Sequence, residues 1–327
     1  MTVARAADSR AADSPVRTVF LGSGGFGRRC LLRLDQRDDV RLVGVVTAAP
    51  RPAGRDQRLR RSVIDDAARE LGVESILAPE RLRAQDSIAT VLALEPELLV
   101  LADYGPIVPA ALLDRRYGAL NLHPSLLPRH RGATPIPAAI LAGDAETGVT
   151  LMKMDAGLDT GPIVAQERVA IDDTGTTPRL EEALEIVADH LLDRNLGPWI
   201  RGDLDPRPQS ETGATLTRPL RREDGRLDPA VPAVLLERWI RAYLPWPGTF
   251  IETDDGRFGV LAASLAEGEP RDVPGRIVRQ GEGLALTTAD GRLVLNIVKP
   301  AGGRAMTGPD FRRGRPGLVG SAVVPGP

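Results

Sequence analysis

The sequence predicts an α/β protein with an amino-terminal Rossmann-like domain, built on a mostly parallel sheet, and a small carboxy-terminal β-barrel (OB-like) domain. Short β-branched runs alternate with longer amphipathic segments over the first part of the chain. A polar stretch rich in Gly and Pro follows, and several short strands separated by Gly-containing turns come last. Alternating strands and helices favour parallel pairing, whereas short strands joined by tight turns are typical of a barrel.

The first part of the chain contains five runs with strand character, which are VRTVFLG, VRLVGVVT, ESILAP, PELLVLA and GALNLH. Helices are expected between them, starting near Gly24, Arg61 and Ala84. This order predicts right-handed crossovers within one sheet. The runs GVTLMKMD and GPIVAQERVAI are interpreted as two more strands, and a helix follows from about Thr177 to Asn195.

The second part begins with a helix expected from about Pro229 to Tyr243. Short strands are then expected near Thr249, Gly259, Gly275, Leu284 and Leu293, between DDG, GEG and ADG turns. The predicted organisation is therefore a disordered tail, an α/β domain, a linker, a β-barrel and a second tail, over residues 1–15, 16–196, 197–217, 218–315 and 316–327.

Composition narrows the class of protein. The formal net charge is −2, so the whole chain shows no basic excess for nucleic acid. The single cysteine, Cys30, excludes a disulfide framework and a cysteine-rich zinc site. The apolar runs have the length of strands, and the first residues lack the apolar core of a signal peptide. We expect a cytoplasmic protein that has no membrane association.

Two short motifs match those of dinucleotide-binding proteins and aspartic proteases, but the sequence around them does not favour either function. The turn GSGGFG, residues 22–27, fits the dinucleotide-binding pattern, but the second strand ends at Thr47 without the acidic residue that binds ribose. We interpret its glycines as a tight turn from strand to helix. The two Asp-Thr-Gly triplets at 159–161 and 173–175 are too close together to form the paired lobes of an aspartic protease.

The pair Asn121 and His123 is a stronger candidate site. Residues i and i+2 of a strand face the same side, so both side chains project together at the carboxyl end of a predicted parallel strand. Ligands of open α/β sheets bind at that edge. Asp159, in the turn GLDTGPI, offers a carboxylate that orients an imidazole and stabilises its charged form. The alternatives are a buried polar pair that caps the strand and an Asx residue that caps the turn.

The run NLHPSLLPRHRGATPIPAAILAGDAETGVTLMKMDAGLDTGPIVAQE, residues 121–167, resembles the core of the folate-dependent formyltransferases. That family carries an Asn-x-His pair, a Ser-Leu-Leu-Pro loop and a later Leu-Asp-x-Gly turn. The segments RPAGR, REDGRLD, RAYLPWPGT and KPAGGRAMTGPDFRRG are similar to the branch of the family that acts on methionyl initiator tRNA. The sequence departs from the family at the GSGGFG turn, at Ala48–Pro50 before RPAGR and at Pro137.

The resemblance implies a one-carbon transferase of translation initiation. Its expected reaction moves the formyl group of 10-formyltetrahydrofolate to the α-amine of methionyl initiator tRNA, with residues 16–196 as the catalytic domain and without a metal. Asn121 and protonated His123 are implied as donors to the formyl oxygen, and Asp159 as the partner of His123 and acceptor of the amine proton. The protein is expected to be a monomer.

The resemblance also implies two sets of binding residues. The folate contacts are expected in two turns, at Tyr104, Gly105, Ile107, Val108, Ser125, Leu126, Leu127 and Pro128, with backbone polar groups at the edge of the pteridine. The tRNA contacts are expected at Arg51, Arg55, Arg58, Arg221 and Arg222.

Three other activities compete with this expectation. A formyltransferase for a small amine, such as an amino sugar nucleotide or glycinamide ribotide, would use the same three residues. A formyl-folate hydrolase would replace the amine with water, and a binding protein without activity would not need the three residues. The carboxy-terminal domain and the RPAGR loop favour the tRNA acceptor.

Overall fold

The computed structural model describes residues 14–53 and 58–324. The described residues contain no helix whose length and apolar character suffice to cross a bilayer. By its internal contacts the chain divides into two compact units. The first comprises Met1–Arg131, Gly148–Arg168 and Ala183–Thr215, and the second comprises Gly132–Thr147, Val169–Glu182 and Leu216–Pro327.

The main sheet is mostly parallel, as predicted. Its strands are β1 (Val16–Leu21), β2 (Val40–Val46), β5 (Ile76–Leu77), β6 (Leu98–Ala102), β7 (Ala119–His123), β9 (Glu146–Lys153) and β10 (Ile163–Ala170). Two short strands, β3 (Arg51–Ala53) and β4 (Arg58–Arg60), form a separate antiparallel pair, and β8 (Arg131–Gly132) follows β7 in the chain. The spatial order is β10-β9-β7-β6-β1-β2-β5, in which β7 and β9 are antiparallel.

The helices between β1 and residue 201 are α1 (Arg28–Asp35), α2 (Val63–Glu70), α3 (Gln85–Leu92), α4 (Ala110–Leu113), α5 (Pro135–Ala142) and α6 (Thr177–Arg201). The helices expected near Gly24, Arg61 and Ala84 are thus present, while α6 continues six residues beyond its predicted end. The sequence analysis missed α5, whose prolines suggest a loop. Pro135 stands in the first turn of α5, where a helix needs no N–H donor.

The order of the strands creates a binding edge at the centre of the sheet. The chain leaves β1 toward β2 and β5 on one side and returns to β6 on the other. In open α/β sheets, ligands bind beside the carboxyl ends of the strands where the order reverses in this way. β6 is buried along its whole length because its run LLVLA is apolar on both faces. The ends of β6 and β7 are therefore held on rigid strands.

The second unit contains the predicted short strands. The strands of this unit are β11 (Leu216–Thr217), β12 (Thr249–Thr253), β13 (Gly256–Ala266), β14 (Ile277–Gln280), β15 (Gly283–Thr287), β16 (Arg292–Pro300) and β17 (Met306–Thr307), with helices α7 (Ala233–Ala242) and α8 (Gly308–Gly314). The sequence predicts five of them, β12 to β16, and not β11 or β17. The antiparallel order is β12-β13-β16-β15-β14, and β17 pairs with β16. Its core includes Leu236, Ile251 and Leu293, and the rings of Phe258 and Phe311 lie 4.9 Å apart. These antiparallel strands confirm the predicted small β-barrel-like carboxy-terminal domain.

The tail predicted from residue 316 is wrong for residues 316–324. Leu318 and Val323 are buried in the core of the second unit. Ala322 forms a bridge with Arg276 beside β14, and Val323 forms one with Thr253 of β12. This segment therefore spans the two edge strands of the sheet, which is why it is ordered despite its glycines. The predicted tail over residues 1–15 lies almost wholly outside the described residues.

Candidate active site

The three residues singled out in the sequence lie together at the carboxyl end of β7. The amide Nδ2 of Asn121 is 3.5 Å from Oδ1 of Asp159, and Nδ1 of His123 is 3.6 Å from Oδ2 of the same carboxylate. His123 is buried and Asn121 is half-buried. An amide, an imidazole and a carboxylate thus meet at the edge where the sheet binds ligands.

The hydrogen bonds of His123 restrict where its protons sit. Its Nε2 lies 2.9 Å from the carbonyl oxygen of His130. A carbonyl only accepts, so Nε2 carries a proton. Its Nδ1 faces a second acceptor, the carboxylate of Asp159, and a proton there turns the pair into an imidazolium beside a carboxylate. The 3.6 Å separation exceeds a hydrogen bond, so a proton on Nδ1 would not be held by Asp159 in this geometry.

The turn that carries Asp159 is held by hydrogen bonds to a neighbouring carboxylate. Its cap is Asp155, whose Oδ1 accepts hydrogen bonds from the backbone N–H of Gly157 and the hydroxyl of Thr160. Asp155 is therefore an Asx residue that caps this turn. It has a left-handed backbone with φ of 51°, which is uncommon for a residue with a side chain. A Cβ on Gly161 would lie 1.9 Å from the carbonyl oxygen of Lys153, so only glycine fits there.

The SLLP turn, residues 125–128, follows the site on β7 and is locked by buried hydrogen bonds. The hydroxyl of Thr150 donates to the carbonyl of Ser125 at 2.6 Å and accepts from the N–H of Leu127 at 3.1 Å. The side-chain amide of Gln166 donates to the carbonyl of Leu127 at 2.9 Å. The N–H of Leu127 is therefore engaged within the protein, and its carbonyl already accepts one hydrogen bond.

The side chains of the SLLP turn divide into buried and accessible ones. The hydroxyl of Ser125 donates to the carbonyl of Arg129 at 2.7 Å and is buried. Leu127 packs against Met152 and Ile163. Leu126 and Pro128 remain half-buried. The accessible apolar surface of this turn is thus contributed by Leu126 and Pro128.

The YGPIV turn, residues 104–108, follows β6 and is more open. Ile107 is 82% exposed and Gly105 is also exposed, whereas Val108 packs into the core of the first unit. Tyr104 is half-buried, and burial raises the pKa of its phenol to about 12. Ile107 is the residue of this turn with the most surface available to a ligand.

The GSGGFG turn has the structural role inferred for it. A Cβ on Gly22 or Gly27 would lie 2.7 or 2.6 Å from the carbonyl oxygen of Ala102, so glycine lets this turn approach the end of β6. A Cβ on Gly24 would collide with the carboxylate of Asp103. Asp103, which the sequence analysis missed, has φ of 55°. Among residues 14–53 and 58–324 its carboxylate has no hydrogen-bond or ion-pair partner, and desolvation by surrounding atoms raises its pKa although the residue is partly open to solvent.

The arginines expected to contact tRNA fall in different places. Arg51 and Arg58 are exposed on the β3–β4 pair of the first unit, where the sequence suggests only a loop. Arg221 and Arg222 are exposed at the start of a short 3₁₀ turn in the second unit. Arg55 lies outside the described residues.

The described residues hold no group of three or more His, Cys, Asp and Glu side chains arranged as metal ligands.

A further set of contacts that the sequence analysis missed surrounds Asp159 and comes from the segment predicted as a linker. The side chain of Gln209 donates to the carbonyls of Asp159 and Gly161. No signal in the sequence reveals this contact, because Gln209 stands in a polar, proline-containing stretch.

The family described as formyl transferase matches residues 16–196, and the family described as the formyl transferase carboxy-terminal domain matches residues 219–316. The chain is 42% identical over 303 residues to a methionyl-tRNA formyltransferase of Roseiflexus sp. (strain RS-1), covering 92% of this chain and 93% of that protein. It is 40% identical to a methionyl-tRNA formyltransferase of Halorhodospira halophila, covering 94% of this chain and 99% of that protein.

Solved structures share the fold. HypX from Aquifex aeolicus in complex with tetrahydrofolic acid has a TM-score of 0.61 at 17% identity, covering 91% of this chain and 47% of that one. An N-formyltransferase from Helicobacter canadensis, in complex with folinic acid and dTDP-3-aminofucose, has a TM-score of 0.61 at 16% identity, covering 86% and 98%. The two family matches and the curated relatives at about 40% identity agree, and the chain belongs to the formyl transferase family.

Proposed function

We propose that this enzyme transfers the formyl group of 10-formyltetrahydrofolate to the α-amine of methionine esterified to initiator tRNA, a step of translation initiation. The observation that carries the proposal is the meeting of Asn121, His123 and Asp159 at the end of β7, in a chain whose relatives are named methionyl-tRNA formyltransferase. The folate structures of the more distant neighbours support the choice of donor.

Asn121 and His123 stabilise the charge that develops on the formyl oxygen when the amine attacks. Asn121 donates through Nδ2, and the long separation between His123 and Asp159 leaves the Nδ1 proton available to an oxygen placed beside it. Such contacts tighten when substrate is bound. Removing one donor to an oxyanion costs about 100- to 1,000-fold in rate.

The carboxylate of Asp159 acts on the proton of the attacking amine. Its carboxylate faces both Asn121 and His123, so it keeps the imidazolium paired and is placed to accept the proton that the amine loses. The formyl group of the donor is already activated, so the residues of the chain suffice to handle the charge and the proton. The bond from the formyl carbon to N10 of the folate then breaks, N10 takes up the proton that the amine lost, and no covalent bond to the enzyme forms.

Two turns of the first unit frame the donor. Ile107 of the YGPIV turn and Leu126 of the SLLP turn offer apolar surface on either side of the ends of β6 and β7. A flat pteridine ring fits between apolar side chains, with its polar edge met by backbone groups of the more open turn. Tyr104, Gly105, Val108, Ser125, Leu127 and Pro128 shape these turns.

Arginines from both parts of the sequence bind the tRNA backbone. We place phosphate contacts at Arg51, Arg55 and Arg58 and at Arg221 and Arg222 in the second unit. Each phosphate contact removed by substitution with Ala should lower the dependence of affinity on salt by about one unit of log–log slope. An affinity that does not fall as salt rises would contradict tRNA as the substrate.

The choice of acceptor is tested by supplying labelled 10-formyltetrahydrofolate with methionyl-tRNA, free methionine, an amino sugar nucleotide or glycinamide ribotide. We expect label only in methionyl-tRNA. Label in a small amine would favour the alternative formyltransferase, and release of formate without an acceptor would favour a hydrolase.

The catalytic role is tested by His123→Ala. We expect this variant to lose at least about 100-fold in kcat because a charged donor is removed, while folate binding stays nearly intact. The matched control is His190→Ala, since His190 is exposed on α6. Turnover preserved in His123→Ala would refute the role given to His123.

A further inference from the structure

Residues 207–215, which we call the brace, contact both turns that carry the candidate active site. At one end, Arg207 exchanges two backbone hydrogen bonds with Ile163 of β10, at 2.7 and 2.8 Å. At the other end, the N–H of Thr215 donates to the carbonyl of Pro128, and the carbonyl of Thr215 accepts from Arg131. The brace is irregular in secondary structure and yet fixed to the first unit at both ends.

Gln209 is the residue of the brace that touches the turn of Asp159. Its Nε2 donates to the carbonyl of Asp159 at 2.8 Å and to the carbonyl of Gly161 at 2.7 Å. Its Oε1 accepts from Nε and Nη2 of Arg131, at 3.1 and 3.0 Å. Carbonyls only accept and a guanidinium only donates, so the partners fix which end of the amide is nitrogen.

Arg131 anchors Gln209 from the opposite side. The side chain of Arg131 is buried, and Glu211 of the brace lies 3.2 Å away to balance its charge. The planar guanidinium presents two donors to the same amide oxygen. The amide of Gln209 is therefore clamped between a fixed cation and the turn of Asp159.

The brace also supports the partner of His123. The backbone N–H of His130 donates to the hydroxyl of Thr215 at 2.8 Å, and the carbonyl of His130 accepts from Nε2 of His123. His130 and Asp159 both have left-handed backbones, with φ of 58° and 51°. Such conformations persist only where surrounding contacts hold them. The brace supplies those contacts on both sides of the His123–Asp159 pair.

We propose that Gln209 is a positioning residue for the reaction: by holding the carbonyls of Asp159 and Gly161, it sets the carboxylate of Asp159 against His123. The proposal rests on the function proposed above for that pair. Gln209 does not touch the reacting atoms, since its amide is fully used by the turn and by Arg131. A small displacement of a catalytic group lowers the rate steeply, by about 100-fold for about 1 Å.

The test replaces Gln209 with Met, which keeps its length but lacks the amide. We expect Gln209→Met to lower kcat by tenfold or more, within the roughly 100-fold range of a misplaced group. The KM for folate should stay nearly unchanged because Gln209 is not in the folate turns. Gln209→Glu should behave similarly, because a carboxylate accepts from Arg131 but cannot donate to the two carbonyls.

A spectroscopic measurement separates positioning from general damage. The chain has three histidines, so ¹⁵N-histidine labelling gives few ring signals, and His123→Ala assigns those of His123. We expect Gln209→Met to shift the ring nitrogen signals of His123 and to leave those of His190 in place. The matched control is Gln280→Met: Gln280 accepts from the buried Arg292 at 2.8 Å in the second unit. It should change neither kcat nor the signals of His123.

Retained kcat and unmoved His123 signals in both Gln209 variants would overturn the proposal. Loss of cooperative unfolding in both would overturn it too, because the contact would then hold the fold and not the pair. The ring nitrogen signals of His123 are measured without any formyl-accepting substrate, so they do not depend on which substrate the enzyme uses. If the unaltered enzyme formylates no methionyl-tRNA while the His123 signals still respond to Gln209, the proposed function fails and the positioning stands.

Discussion

The SLLP and YGPIV turns follow neighbouring strands, and the same role was expected of both, yet they are built differently. In the SLLP turn, Thr150 and Gln166 engage the backbone groups of Ser125 and Leu127. In the YGPIV turn, the backbone groups of Gly105 and Ile107 make no hydrogen bond to the described residues. Most backbone groups of the SLLP turn have partners within the protein, whereas those of Gly105 and Ile107 are exposed and have none among the described residues.

The difference assigns separate tasks to the two turns. A locked turn offers a ligand mainly its shape and its apolar surface, since most of its polar groups already have a partner. An open turn offers hydrogen bonds but must be ordered when the ligand binds, which costs conformational entropy. We infer that the SLLP turn supports the face of the folate ring and that the YGPIV turn recognises its polar edge.

Among variants of the two turns, we expect Thr150→Val to change stability most. It removes the hydroxyl that holds the SLLP turn while keeping the volume of the side chain. Thr150 is fully buried, and its hydroxyl joins Ser125 to Leu127. Without it, a buried N–H and a buried carbonyl lose a partner, which lowers the free energy of unfolding by about 1–3 kcal/mol. Urea denaturation measures this loss, and the KM for folate should rise because the turn is no longer preformed.

The matched control for Thr150→Val is Thr90→Val on α3. The hydroxyl of Thr90 donates to the carbonyl of Asp86 and is exposed, so its loss leaves water as a partner. This control should change stability little and the KM for folate not at all. A Thr150→Val enzyme with normal folate affinity would show that the SLLP turn does not support the donor.

The contacts that hold the SLLP turn could not be predicted from the sequence, whereas the pair Asn121 and His123 could. Asn121 and His123 were predicted to project together because the two-residue period of a strand is a local property. The sheet followed in the same way from alternating strands and helices. Thr150 gave no such signal, because the partners of its hydroxyl, Ser125, Leu127 and Gln166, are distant in the chain and no local pattern points to them. Gln209 was hidden for the same reason, in a stretch whose composition is typical of a linker.

A smaller effect is expected from Ile107→Ala, which alters the open turn. Ile107 is 82% exposed, so its removal should leave the free energy of unfolding unchanged. If folate covers this side chain, the lost apolar contact amounts to about 1 kcal/mol, or about fivefold in the KM for folate. Ile186→Ala, an exposed position on α6, is the control that should change neither quantity. An unchanged KM in Ile107→Ala would place the ligand away from the open turn.

The smallest effect concerns Asp103, at the entrance of the open turn. Desolvation raises the pKa of its carboxyl in the folded protein above the unfolded value, so the folded state resists carrying this charge. The resulting penalty is present above the folded pKa and disappears below about pH 4, where the carboxyl is protonated in both states. Asp103→Asn should therefore stabilise the protein at neutral pH and make no difference at low pH, as measured by urea denaturation across pH.

Asp172→Asn supplies a control of opposite sign, because hydrogen bonds from the hydroxyl and N–H of Thr174 lower the pKa of Asp172. That variant should lose stability at neutral pH and approach the unaltered protein as pH falls through the lowered pKa. Equal pH dependence in the two variants would show that the Asp103 carboxylate is solvated and that the open turn carries no electrostatic cost.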